Sequence, residues 1–132
     1  MKLIDTNIIM YAIGKGHPLK EQCKKLLQRV VYGETVANID VEVLQELLYV
    51  YSVRGERRKG LKVIDEMLVL FPDSYSIKID EIARAKGLMK KYSSLSARDA
   101  IHCAVSINNN LEGIISTDKD FDIVKEIHRF KP

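Results

Sequence analysis

The chain has 132 residues, of which 46% are hydrophobic and 30% charged, so it is long enough for one domain with a buried core and too apolar for a disordered chain. Its 21 Lys and Arg exceed its 18 Asp and Glu by three, an excess too small to indicate a nucleic-acid partner by itself. No apolar run approaches the ~20 residues of a membrane span, and no secretory signal is evident. We therefore expect one cytoplasmic domain over residues 1–132, in which Cys23 and Cys103 are reduced packing residues.

The spacing of apolar residues predicts strands and helices that alternate along the chain. Continuous or alternating apolar runs predict strands, whereas apolar residues three or four apart predict helices. In chain order we predict an extended segment that turns (2–5 and 8–12), a helix (18–33), a strand (35–39), helices (41–53 and 61–71), a strand (75–79), helices (81–92 and 97–108) and strands (112–116 and 127–132). This alternation is typical of an α/β fold with a central, mainly parallel sheet flanked by helices.

Polar residues mark the predicted starts of three helices. Asp40, Asp80 and Ser96 each precede a helical pattern, and Asp and Ser are favoured N-caps. The basic run RGERRK (54–59) predicts a loop between two helices, and the run TDKDFD (117–122) predicts a loop between two strands.

Acidic residues stand where ligands bind in parallel sheets, beyond the carboxyl ends of strands. Asp5 follows the first predicted strand, and Asp118 follows the run GIIST. Asp99 lies in the first turn of the helix after Ser96, and Glu46 lies inside a helix on an apolar face. Each also has a local explanation, because Asp5 and Asp118 could cap turns, Ser96 and Asp99 have the spacing of a capping box, and Glu46 could bend out to solvent.

Four segments taken together resemble the PIN domain, the metal-dependent ribonuclease fold of VapC-type toxins. They are LIDTN, VEVLQELL, SARDAIHCAVS and ISTDKDFD, and the resemblance runs in order from Lys2 to about Phe130. It implies a single PIN-like nuclease domain with a parallel sheet and an acidic quartet, none of whose members is replaced. Residue by residue, the quartet of catalytic and metal-binding acids is Asp5, Glu46, Asp99 and Asp118.

The resemblance also implies a secondary set of site residues and a chemistry. Thr6 matches a hydroxyl after the first acid, Thr117 one before the last acid, and Asp122 a further acid, whereas Asp120 has no regular counterpart and is left out. An oxygen-only ligand set suits Mg²⁺ or Mn²⁺. The expected reaction is endonucleolytic hydrolysis of RNA to 5′-phosphate and 3′-hydroxyl ends, by the toxin of a type II toxin–antitoxin pair.

Basic and apolar surfaces suggest further partners. Arg57, Arg58 and Arg98 are candidate contacts to RNA phosphates, although any one basic group could simply be a solvated face. The apolar helix 61–71 is a candidate interface, and because the family resembled here often forms homodimers, we expect a dimer. His102, one turn after Asp99, could line the cleft, but we predict a surface residue.

Two other functions stay open from the sequence alone. The same chemistry could serve an RNA-processing or structure-specific nuclease outside any toxin system. Alternatively, the chain could be a non-enzymatic regulatory α/β domain phosphorylated at Asp5, although the stretch DTN lacks the second Asp of the phosphatase pattern DxDxT.

Overall fold

Four short parallel strands form the single sheet of the computed structural model, which describes residues 1–132. The strands are β1 (Lys2–Ile4), β2 (Ala37–Asn38), β3 (Ile114–Ile115) and β4 (Arg129–Phe130), in the spatial order β2-β1-β3-β4. The helices are α1 (Thr6–Ile13), α2 (Lys20–Val31), α3 (Val41–Val53), α4 (Arg57–Leu70), α5 (Ile79–Lys91) and α6 (Ala97–Asn108), with a 3₁₀ helix at Lys119–Ile123. The predicted α/β fold with a parallel sheet is confirmed.

The sheet separates two hydrophobic clusters, because successive side chains of a strand point to opposite faces. Ile4 and Ile115 pack with the apolar faces of α1 to α4. Leu3 and Ile114 pack on the other side with α5 and α6. The two central strands are therefore buried on both faces, and polar side chains can enter the interior only where these strands end.

Two of the predicted caps start the helices that carry candidate site residues. At the start of α3, an Asp40 side-chain oxygen accepts a hydrogen bond from the backbone N–H of Val43 at 3.1 Å. At the start of α6, the Ser96 hydroxyl oxygen accepts one from the backbone N–H of Asp99 at 3.2 Å. Both predictions are confirmed, and these caps fix where Glu46 and Asp99 enter the structure.

Other predicted boundaries are wrong. Residues 8–12 are helical rather than extended, because Ile8, Ile9 and Ala12 are all buried on one face of α1. The predicted loop 54–59 is partly helix, since α4 begins at Arg57. Residues 117–122, predicted as a loop, include most of the 3₁₀ helix.

The predicted strand 75–79 is also wrong. Tyr75 makes a single bridge to Asp40, and the chain then enters α5 at Ile79. β2 has already ended at this level because Asp40 starts α3, so no further strand residues are available for pairing. The N-cap residue of α5 is Lys78, and the predicted cap Asp80 lies instead in the first turn, where its charge favours the helix dipole.

Two further observations concern the cysteines and the helices. Cys23 and Cys103 are both buried and unpaired, as predicted. None of the helices combines the length and apolar character that crossing a bilayer would demand.

Candidate active site and metal centre

Acidic side chains from the ends of β1 and β3 and from α6 meet at one edge of the sheet. Asp5 directly follows β1, and Asp118 lies three residues after Ile115 of the neighbouring β3. Carboxylate oxygens of Asp99, Asp118 and Asp120 all lie within 4.8 Å of one another. We call Asp5, Glu46, Asp99, Asp118 and Asp120 the acidic cluster. Two unit charges at 4.8 Å repel by roughly 3 kcal/mol at an effective dielectric constant of about 20, so the cluster favours a bound cation.

Asp5 is not a helix cap, although it occupies the N-cap position of α1. Its side chain makes no capping hydrogen bond, and its Oδ2 instead accepts one from the Ser116 hydroxyl at 2.6 Å. Only 4% of the residue is exposed. Burial raises the pKa of Asp5, and the nearby Glu46 carboxylate raises it further, whereas His102 and the Ser116 hydroxyl act in the opposite direction. A buried carboxylate of this kind is typical of a ligand site.

Asp99 lies on the open side of the cluster. Burial raises its pKa from 3.8 to about 6, with added repulsion from Asp5 and Asp118. Asp118 also caps the 3₁₀ helix, since its Oδ1 accepts a hydrogen bond from the backbone N–H of Asp120 at 2.8 Å. This cap turns the chain so that Asp120 comes back beside Asp99 and Asp118.

His102 is fully buried, so the prediction of a surface histidine is wrong. Its Nδ1 lies 2.7 Å from Asp40 Oδ2, and its Nε2 lies 3.1 Å from Glu46 Oε1. The Asp5 carboxylate is also near, with Oδ1 at 3.9 Å from Nε2. Burial alone would lower the pKa of His102, but attraction to Asp40 and the hydrogen bonds to Asp40 and Glu46 outweigh it and raise that pKa well above its usual value.

Glu46 points toward His102 and the rest of the cluster rather than to solvent, with 13% of its side chain exposed. One turn earlier on α3, Glu42 shares this environment, and burial together with the charge of Glu46 raises the pKa of Glu42. The alternative in which Glu46 bends out to solvent therefore does not apply.

Four residues of this region were missed or given only local roles by sequence reasoning: Asp40, His102, Ser116 and Asp120. Asp40 was read only as a helix cap, yet it is fully buried and also bonds His102. For His102 there was a signal, because its position three residues after Asp99 places both on the same side of α6 and left open that it lines the cleft. Ser116 and Asp120 lack any such signal, because their roles depend on how β3 and the following turn pack.

The predicted secondary residues occupy different surroundings. The Thr6 hydroxyl is buried and has no hydrogen-bond partner in the protein. Thr117 is half-buried beside Asp118. Asp122 points away into an ion pair, with its two oxygens 2.8 and 3.0 Å from Arg129 nitrogens, and this pairing lowers the pKa of Asp122. Arg129 in turn donates to the backbone carbonyl of Ser116 at 3.1 Å.

The three candidate RNA contacts are all exposed. Arg98 precedes Asp99, and its guanidinium lies 4.9 Å from the ring centre of Tyr49, which is half-exposed and one turn after Glu46 on α3. Arg98 and Tyr49 thus stand on α6 and α3, the two helices that supply Asp99 and Glu46. Arg57 and Arg58 lie in the first turn of α4.

The residues present fit a divalent metal ion. The side chains of the acidic cluster offer only oxygen, and hard cations such as Mg²⁺ prefer oxygen ligands. The orphaned hydroxyl of Thr6, next to Asp5, is a further polar group available to a ligand or to a water bound by one.

Comparison with known proteins defines the class to which this fold and site belong. The family model described as the PIN domain matches residues 2–127, and the chain therefore belongs to the PIN domain family. A VapC ribonuclease of Mycobacterium bovis is 33% identical over 129 residues, covering 98% of both chains. Ribonuclease VapC13 of Mycobacterium tuberculosis matches to the same extent. The family predicted from the sequence is confirmed, and it argues against a regulatory domain phosphorylated at Asp5.

Solved structures show the same fold at lower sequence identity. VapC20 of Mycobacterium tuberculosis, described as a sarcin-ricin loop cleaving toxin, is 16% identical, with a TM-score of 0.81 and full coverage of both chains. VapBC2 of Rickettsia felis, bound to a DNA fragment from its promoter, is 17% identical, with a TM-score of 0.77 and coverage of 98% of this chain and 97% of that chain.

Proposed function

We propose that the acidic cluster is the active centre of a metal-dependent endoribonuclease, and that the chain, a single nuclease domain over residues 1–132, is the toxin of a type II toxin–antitoxin pair. The class of activity is supported by the VapC ribonucleases that resemble it over nearly its whole length. The observation that carries the proposal is the convergence of Asp99, Asp118 and Asp120 within 4.8 Å, with buried Asp5 beside them.

Asp5, Glu46, Asp99 and Asp118 would hold Mg²⁺ or Mn²⁺, and Asp120 would join them. When bound, such an ion lowers the pKa of a water and neutralises the phosphate in an in-line displacement that leaves 5′-phosphate and 3′-hydroxyl ends. The protein's own contribution is to hold the carboxylates in place, as the Ser116 hydroxyl does for Asp5.

The secondary residues would support this centre. The Thr6 hydroxyl, which has no partner in the protein, would bond a water or a phosphate oxygen, and Thr117 would do the same beside Asp118. Asp122 would act indirectly, because its pair with Arg129 holds that side chain against the end of β3. Thr6 and Thr117 would thus touch a bound ligand, whereas Asp122 would only help to hold the site in shape.

RNA would approach across the rim formed by α3 and α6. Arg98 would contact a phosphate beside Asp99, and its partner Tyr49 is exposed enough to stack on a base. Arg57 and Arg58 would extend the contact to phosphates farther along the strand.

A cleavage assay on single-stranded RNA tests the proposal. We expect EDTA to abolish cleavage and added Mg²⁺ or Mn²⁺ to restore it, and we expect Asp99→Asn to reduce kcat about 100-fold or more, because metal ions supply several kcal/mol of transition-state stabilisation. Asp73→Asn is the matched control, since Asp73 is an exposed acid between α4 and α5, outside the cluster. Undiminished cleavage in EDTA would rule out the metal mechanism.

The same comparisons support a protein partner. The structures from Rickettsia felis and Klebsiella pneumoniae are a VapBC pair and a toxin–antitoxin complex, and we propose a cognate antitoxin for this chain in the cytoplasm. A short neighbouring gene for a small DNA-binding protein would support this; its absence would favour an RNA-processing nuclease with the same chemistry.

We also propose a homodimer through α4. On this helix Leu61 is 49% exposed, Leu68 is 51% exposed and Val69 is 82% exposed. Exposed apolar side chains grouped on one helix are typical of a protein–protein interface. Light scattering at micromolar concentration should give twice the 15.1 kDa chain mass, and a monomer alone would contradict the proposal.

A further inference from the structure

A buried imidazole links the acidic cluster to the end of β2. His102 has no exposed surface, and each of its ring nitrogens faces a carboxylate oxygen, Asp40 Oδ2 at 2.7 Å and Glu46 Oε1 at 3.1 Å. An ionised carboxylate accepts hydrogen bonds but donates none, so the bond to Glu46 forms when Nε2 carries a proton. The ring is held between the two carboxylates, and its position follows from where Asp40 is held.

Asp40 is a rigid anchor for this ring. Its Oδ1 accepts from the backbone N–H of Val43 at 3.1 Å, so both oxygens are occupied, and no part of the residue is exposed. The backbone on both sides is fixed by Tyr75, which donates its N–H to Ile39 at 2.9 Å and accepts from the N–H of Val41 at 3.0 Å. Because Asp40 is held in place, the ring bonded to it is also held in place and can orient Glu46 on its other side.

Glu46 depends on His102 for its orientation. The side chain rotates about three bonds, and Nε2 of His102 is the one group of the protein to which its carboxylate is hydrogen-bonded. The same Nε2 lies 3.9 Å from Asp5 Oδ1, so the bond places the Glu46 carboxylate beside that of Asp5. We propose that His102, braced by Asp40, is a positioning residue that holds Glu46 in the orientation needed to bind the divalent ion. This inference rests on the proposed metal-dependent function.

Two substitutions of His102 separate its two hydrogen bonds. The amide nitrogen of Asn lies near the place of Nδ1, so His102→Asn keeps the donor to Asp40 and removes the donor to Glu46. The longer Gln reaches the place of Nε2, so His102→Gln keeps the donor to Glu46 and removes the other. Both variants carry an uncharged amide, so a difference between them reports the hydrogen bond to Glu46 and not a difference in charge.

The measurement is calorimetric titration of the RNA-free protein with Mn²⁺ alone. We expect His102→Asn to bind Mn²⁺ about tenfold more weakly than His102→Gln, since loss of a group that orients a metal ligand costs 10- to 100-fold in affinity. Wild-type affinity in His102→Asn would overturn the positioning role, because that variant has no donor to Glu46.

A double-mutant cycle tests whether the effect acts through Glu46. In a Glu46→Gln background the difference between the two His102 variants should disappear, because the group being positioned is gone. A difference that persists at full size would overturn the inference, because His102 would then affect the site by another route.

Folding of each variant is checked by circular dichroism and thermal melting. If both His102 variants fail to fold, the wild type still gives an answer, because the hydrogen bond to Glu46 requires a proton on Nε2. NMR of the ¹⁵N-labelled protein should show a slowly exchanging Nε2–H for His102, and its absence would overturn the proposal. Wild-type Mn²⁺ affinity in His102→Asn refutes positioning only, whereas a wild type that binds no Mn²⁺ refutes the metal-dependent function itself and positioning with it.

Discussion

Asp99→Asn should stabilise the metal-free protein at neutral pH. Asp99 shares its surroundings with Asp5 and Asp118, and burial together with these two charges raises its pKa to about 6. At pH 7.5 the side chain is ionised in both states, but burial and the neighbouring charges raise the free energy of its charged form only in the folded protein. Asn keeps the shape of the side chain and carries no charge, so it removes the repulsion while disturbing little else.

The size of the gain follows from the shift in pKa. The rise from 3.8 to about 6 corresponds to about 3 kcal/mol at about 1.4 kcal/mol per pKa unit. Asp99 is only half-buried, and solvent screening reduces the expected gain to about 1 kcal/mol. For a domain of this size such a gain raises Tm by about 3 °C.

The pH dependence has a definite sign. The folded protein binds the Asp99 proton more tightly than the unfolded chain does, so the contribution of Asp99 to stability falls as the pH rises from about 4 to about 6. The advantage of Asp99→Asn should therefore be fully developed at pH 7.5 and vanish near pH 4. Thermal melts in EDTA at several pH values measure it.

Asp122→Asn is the matched control for this experiment. It removes the same charge from an acid whose pKa is lowered by its pair with Arg129, so its Tm should stay the same or fall. A lower Tm for Asp99→Asn at pH 7.5 in EDTA, or a gain that does not change between pH 4 and pH 7.5, would refute repulsion within the cluster.

The remaining predictions concern packing and RNA binding. Gly60→Ala should destabilise the protein by about 1–3 kcal/mol, because the new Cβ would lie 2.6 Å from the Cβ of Tyr51, where α3 packs on α4. Gly87→Ala should instead stabilise it by about 0.5–1 kcal/mol, because a Cβ in the middle of α5 meets open space there. Urea melts of the two variants measure these opposite changes. Replacing Arg57 and Arg58 together with Ala should weaken RNA binding across sequences and flatten its salt dependence without changing Mn²⁺ affinity, and equal wild-type binding in low and high salt would contradict this.

Local features of the sequence determined several parts of the structure. Asp40 and Ser96 start α3 and α6 as their residue types predict. Each side-chain oxygen bonds a backbone N–H of the same helix, so the cap requires no contact with a distant part of the chain. Leu3 and Ile4 enter opposite cores because side chains alternate along any strand. The order of the acidic segments was enough to predict the family, which the match over residues 2–127 confirms.

The tertiary structure decided where local patterns were ambiguous. Residues 8–12 were predicted to be extended, and packing of α1 against the sheet made them helical. The alternation at 75–79 suggested a strand, but an extended segment becomes a strand only if a partner edge is available, and β2 had already ended.

The site itself depends on contacts between distant parts of the chain. The sequence alone determined that Asp5 and Asp118 would follow strands and that Asp99 would begin a helix. Only the folded chain brought Asp40 and Glu46 of the α3 region onto His102 of α6, and Asp120 back beside Asp99. Helical spacing fixes the face of a helix on which a side chain lies, but not which element covers that face. His102 shares a side of α6 with Asp99, but it is buried because Asp40 and Glu46 of the α3 region cover that side.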